Sequence, residues 1–185
     1  MDRDQSTSKT SDSREKARLS IRPALGSDLP RLTDIYNHYV VRSPATFDLE
    51  PKTVEQRAEW FAQFSLTGRH RLLVAEEVGH VVGYAGSTRF RAKPAYDRTV
   101  ETTIYCAPDA LGRGIGAALY RALFAVLAAE EVHRIVAGYV PPNPASERLH
   151  RQFGFRPVGI FTEQGYKFGR YWDVCWVERG LTGEL

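Results

Sequence analysis

The segment Cys106-Ala-Pro-Asp-Ala-Leu-Gly-Arg-Gly-Ile-Gly-Ala-Ala-Leu119 places Gly112, Gly114 and Gly116 between a β-branched run and the most regular apolar periodicity in the chain. Glycines at such a junction let the backbone turn tightly and approach a ligand closely. The helix that follows presents unpaired N–H groups at the positive end of its dipole. Together these features make a phosphate or pyrophosphate site, with a simple tight turn as the plainer reading. Two phosphate motifs are excluded. No Lys-Ser or Lys-Thr follows, as a Walker loop requires, and Leu119 stands where the dinucleotide fingerprint needs its third glycine. Upstream, alternation along Thr99–Cys106 puts Glu101, Thr103 and Tyr105 on one face. A carboxylate in a half-buried cleft takes a proton from an ammonium directly or through water. The alternatives for Glu101 are a solvent-facing strand glutamate or an ion pair with Arg98. A nucleophilic Cys106 needs an activating base, and no sequence feature supplies one, so Cys106 is read as structural. His38, His70, His80, His133 and His150 show no metal-ligand spacing with one another or with cysteine, and no metal is expected.

These residues need elements to hold them. Residues 19–24 (LSIRPA) read as a short strand with order beginning at Ile21, and Ser27 and Asp28 offer caps for a helix carrying Leu29, Leu32, Ile35, Tyr36, Tyr39 and Val40. Thr53 and Gln56 form a capping box for a second helix. RLLVAEE and VVGYAGS form a hairpin around Val78-Gly79-His80, and TVETTIYCA is a further strand. Ile115, Ala118, Leu119, Ala122, Leu123, Val126 and Leu127 define an amphipathic helix. RIVAGYV is a strand, Asn143 with Pro144 opens a short helix that ends at Gly154, and two strands close the chain around Gly165 and Gly169. The order predicts a mixed α/β sheet, parallel wherever a helix crosses over.

With 185 residues, 43% hydrophobic and 25% charged, the chain makes one domain over 21–185 and excludes collagenous or membrane-spanning classes. Residues 1–20 are polar, lack the apolar run of a secretory signal and read as a disordered tail. A net charge of +3 does not imply a nucleic-acid binder. The aromatic-basic stretch of Phe90, Arg91, Lys93 and Tyr96 imitates an RNA surface, but no RNA-binding motif accompanies it. Two cysteines without a framework fit reduced thiols in a cytoplasmic setting.

The Leu111–Gly116 sequence resembles motif A of the GNAT superfamily of acetyl-CoA-dependent N-acetyltransferases, written Q/R-x-x-G-x-G/A, with Leu111 in place of the polar first residue. Asn143–Gly159 resembles the second cofactor segment of that superfamily. IYNHYV, the 90–106 segment and Gly165, Lys167, Gly169 and Asp173 resemble the phosphinothricin N-acetyltransferase branch, with Tyr171 replacing a usual Trp. The resemblance implies a GNAT fold, a mixed and mostly antiparallel central sheet with helices on both faces. It implies acetyl-CoA bound by Gly112, Arg113, Gly114, Ile115, Gly116 and Ala117, by the backbone of Ile104, Tyr105 and Cys106, and by Asn143 and Ser146. Glu101 becomes the base, and His150 stands where many members carry the tyrosine that protonates departing coenzyme A, an ordinary helix histidine being the alternative. Phe90, Arg91 and Tyr96, with Phe47, border the acceptor, where Arg91 clamps a carboxylate. The implied function is acetyl transfer to a small amino-acid-like amine of the phosphinothricin or methionine sulfoximine type. A protein or peptide acetyltransferase and a non-catalytic acyl-CoA-binding domain are the rivals. A homodimer with Trp172 and Trp176 on a contact strand is also implied, core packing explaining those residues equally.

Overall fold

A computed structural model of the chain describes residues 19–181. The expected tail therefore lies outside the described residues except for Leu19 and Ser20, and Ser20 already pairs with Glu76, one residue before the expected start of order. Seven strands form one sheet: β1 (Ser20–Pro23), β2 (Leu72–Glu77), β3 (His80–Arg89), β4 (Thr99–Cys106), β5 (Arg134–Tyr139), β6 (Arg156–Lys167) and β7 (Arg170–Gly180). Their spatial order is β1-β2-β3-β4-β5-β7-β6. Among the described strands only β4 and β5 run parallel, because helix α3 (Ile115–Leu127) carries the chain across between them.

Helices cover both faces. Leu119, Tyr120, Leu123, Phe124 and Leu127 of α3 are buried on one face, where α4 (Pro144–Gln152) joins it. On the other, Leu32, Ile35 and Val40 of α1 (Leu29–Arg42) are buried, and α2 (Val54–Phe61) sets Trp60 edge-on against Tyr84. The Thr53–Gln56 capping box forms with both bonds in place, and Gly154 takes the left-handed conformation that ends α4.

Three local expectations are corrected. The β2–β3 turn is two residues, Val78-Gly79, both at positive φ, and His80 pairs with Glu77 inside the strand; this geometry matches the twist of the flanking strands. Gly165 belongs to β6, not to the final turn, which is Phe168-Gly169. Asp28 does not cap α1 with its side chain, because the carboxylate is taken by Arg22 and the Leu25 N–H.

Candidate active site

The site begins where two strands part. β4 pairs with β5 only from Thr99 to Glu101, opposite Arg134 to Val136. Beyond that point β4 stays with β3 as far as Cys106, and β5 stays with β7 as far as Tyr139. A wedge therefore opens between residues 102–106 and 137–139. Ala107 donates to the Val82 carbonyl at 2.8 Å, and strand alternation then turns the N–H and C=O of Ile104 and Cys106 toward the wedge and those of Tyr105 toward β3. Of the three expected backbone contacts, Ile104 and Cys106 face the opening and Tyr105 does not. The Cys106 carbonyl is already engaged, by the Tyr39 hydroxyl at 2.7 Å.

The start of α3 flanks the wedge. Gly112 and Gly114 sit at φ +74 and +80, the left-handed region that favours glycine. Gly114 is the N-cap and no side chain caps the helix. The first intrahelical bond is Ala118 to the Gly114 carbonyl, which leaves the Ile115, Gly116 and Ala117 N–H groups without helical partners. A Cβ on Gly116 would meet Leu149 at 3.4 Å and Ile104 at 3.9 Å, so α3, α4 and β4 converge here. Arg113 offers backbone only, since its guanidinium binds Glu77 at 2.5 Å. Across the groove Asn143 caps α4, accepting from the Ser146 N–H at 3.0 Å.

Glu101 lies on the opposite face from α3. Its neighbour Thr102 meets the Tyr120 hydroxyl of α3 at 3.3 Å, so Glu101 points the other way, as do Tyr105 and, across β5 and β7, Val174 and Trp176. No ion pair joins Glu101 to any described residue, and Arg98 pairs with Glu131 at 3.3 Å. Burial raises the Glu101 carboxyl above its ordinary value, which strengthens it as a base. Phe90 packs on Trp176 and Tyr96, and Arg91 lies over both Phe90 and Tyr96. The expected acceptor-side residues thus gather around this face.

His150 is only 7% exposed. Its Nε2 meets the Tyr120 hydroxyl at 3.1 Å, and Tyr139 and Phe155 pack on the ring. Burial pushes its pKa down to about 4, so it is neutral at pH 7. It sits on the α3–α4 face, across the sheet from Glu101. Burial also pushes the Cys106 thiol up to about 11, which leaves it protonated and poorly nucleophilic.

Three contributors escaped the sequence reading. Tyr39 was visible only as a helix-face residue, and its bond to Cys106 spans 67 residues. Arg57 is a buried guanidinium stacked 3.5 Å from the Trp60 ring centroid and 4.3 Å from Tyr36. Lys167 was legible as a motif position without a role; its Nζ donates to the Ser43 and Thr46 carbonyls.

Residues 21–176 match the acetyltransferase (GNAT) domain model. The chain belongs to the GNAT acetyltransferase family. A phosphinothricin N-acetyltransferase of Streptomyces coelicolor is 54% identical over 167 residues, 89% of this chain and 98% of that protein. An L-methionine sulfoximine/L-methionine sulfone acetyltransferase of Pseudomonas paraeruginosa is 34% identical, covering 88% of this chain and 94% of its own. Among solved structures, a GNAT phosphinothricin acetyltransferase from Sinorhizobium meliloti in complex with acetyl-CoA superposes with a TM-score of 0.83 at 34% identity, covering 88% of each chain. In this GNAT acetyltransferase the expected fold class and the branch resemblance both hold.

Proposed function

We propose that this acetyltransferase moves the acetyl group of acetyl-CoA to the α-amine of a small zwitterionic acceptor, an amino acid or analogue of the phosphinothricin or methionine sulfoximine type. The observation that carries the reading is Glu101, an unpaired, half-buried carboxylate on the face of the sheet opposite the uncapped start of α3. The N–H groups from Gly112 to Ala117 hold the pyrophosphate, and Asn143 and Ser146 border the pantetheine arm. That arm lies along the wedge edge of β4 as an added strand on Ile104 and Cys106. The acceptor amine loses its proton to Glu101 and attacks the thioester carbonyl. The C–N bond forms as the C–S bond breaks, and an N–H on the wedge stabilises the oxyanion. Coenzyme A leaves as thiolate, which a thiol pKa near ~8.5 permits without strong acid assistance. His150, being neutral, contributes a hydrogen bond and not a stored proton.

Arg91 takes the acceptor carboxylate, and Phe90, Tyr96 and Phe47 wall its side chain. The partners are small molecules rather than nucleic acid or membrane. No described helix is long and apolar enough to cross a membrane, and two free thiols, Cys106 and Cys175, suit a cytoplasmic setting. One domain carries both substrates. A homodimer forms along β6, whose Val158, Ile160 and Phe161 are each more than half exposed.

A panel of amino acids, the two analogues, polyamines and lysine peptides, assayed for released coenzyme A thiol, tests the acceptor. Preference for small α-amino acids, lost in Arg91→Ala, is expected. Preference for peptides or polyamines with no response to Arg91→Ala overturns the small-acceptor reading.

A further inference from the structure

Lys167 is 3% exposed and forms no ion pair with any described carboxylate, Asp48 acting on it only through space while pairing with Lys52. Its ammonium donates instead to two backbone carbonyls of the segment after α1, Ser43 at 3.0 Å and Thr46 at 2.7 Å. Among the described residues these are the only hydrogen bonds between residues 43–50 and the β6–β7 hairpin. The same segment lays the Phe47 ring on Gly165 so closely that a Cβ there would stand 2.4 Å from Phe47 Cζ. The middle of the segment is held to β4 by the Tyr105 hydroxyl, which donates to the Ala45 carbonyl at 3.4 Å. Residues 43–47 therefore bridge from β4 to β6, over the face that carries Glu101. The hairpin end is itself braced: Trp172 Nε1 donates to the Lys167 carbonyl at 2.8 Å, and Arg170 stacks 3.5 Å from the Trp172 ring centroid.

We propose that Lys167 is a positioning residue for the acceptor, fastening residues 43–47 to the hairpin so that the Phe47 ring forms a fixed wall against the acceptor side chain. This inference deepens the small-acceptor reading and rests on it. Two charge-assisted bonds to carbonyls hold the bridge without a direct ion pair, and the nearby Asp48 carboxylate is engaged by Lys52 and the Tyr36 hydroxyl. Because Lys167 acts through Phe47, its loss weakens acceptor binding and leaves the acetyl-CoA groove, on the far face, unaltered.

Steady-state kinetics on Lys167→Met, Gly165→Ala and Phe47→Ala test the bridge. Gly165→Ala leaves the ammonium in place and displaces the ring. Each variant is expected to raise KM for the acceptor about 10-fold, with KM for acetyl-CoA within about two-fold and kcat changed less than the acceptor KM. Lys167→Met combined with Phe47→Ala is expected to be no worse than the worse single variant. An unchanged acceptor KM in Lys167→Met, or equal losses for both substrates that multiply with Phe47→Ala, overturns the proposal. Should Lys167→Met fail to fold, an unchanged acceptor KM in Gly165→Ala overturns it alone. The wild type on the same acceptors separates the two levels. A wild type that refuses amino-acid acceptors sinks the small-acceptor reading and this proposal with it, whereas a responsive wild type beside indifferent variants sinks only the bridge.

Discussion

Burial moves the protons of Glu101 and His150 in opposite directions, because in each case it disfavours the charged form. The carboxylate becomes a better base, and the imidazole stays neutral. For His150 the sign has a consequence for stability. Its folded pKa of about 4 lies below the ordinary 6.5, so the unfolded chain binds more protons between these values. Stability is fully present above pH 6.5 and falls by about 3 kcal/mol as pH drops to 4, at 1.36 kcal/mol per unit. Urea unfolding of the wild type and His150→Phe across this window checks it: the variant should lose that part of the slope, and parallel slopes contradict it. The same two residues lie on opposite faces of the sheet, so they are not expected to form one proton relay. The fold-losses of Glu101→Gln and His150→Phe should multiply in the double variant; a double no slower than the worse single would establish a relay instead.

On the proposed function, the start of α3 is the element on which cofactor binding depends. Gly114→Asp sets a carboxylate beside the pyrophosphate at a left-handed position, φ +80. Calorimetry with acetyl-CoA should show affinity reduced at least about 10-fold while circular dichroism stays native; unchanged affinity would remove this loop from the site. This element was legible in the sequence because its signals are local: a 3.6-residue apolar period and three glycines at the junction. The Thr53–Gln56 box and Gly154 were legible for the same reason. The parting of β4 from β5 was not. Thr99–Cys106 is mostly β-branched, and nothing in it marks Glu101 as the last residue paired with β5. Gly165 looked like a turn residue because a glycine three positions before a turn has no other local meaning. Its reason lies in Phe47, far away in the chain. His150 followed the cofactor motif, while its burial depends on Tyr120, Tyr139 and Phe155, which local spacing does not reveal.

At the scale of the whole molecule, the proposed mechanism has one sheet keep donor and acceptor on different faces and let them meet where it splits. The same sheet ends in β6, a 12-residue edge strand whose first nine residues are all exposed. Long apolar edges invite pairing, and a second copy would cover this one. Sedimentation should report a dimer for the wild type and a monomer for the double variant Val158→Asp, Ile160→Asp; a wild type that stays monomeric contradicts the interface. On the proposed mechanism the acceptor's proton goes to Glu101, since His150 lies on the other face of the sheet. The dependence of kcat/KM on pH, measured for the wild type and Glu101→Gln with a preferred acceptor, tests that assignment directly. The variant should lose about 10²–10⁴-fold at neutral pH and recover toward high pH as free amine becomes abundant. A Glu101→Gln enzyme as fast as the wild type at neutral pH would contradict the account.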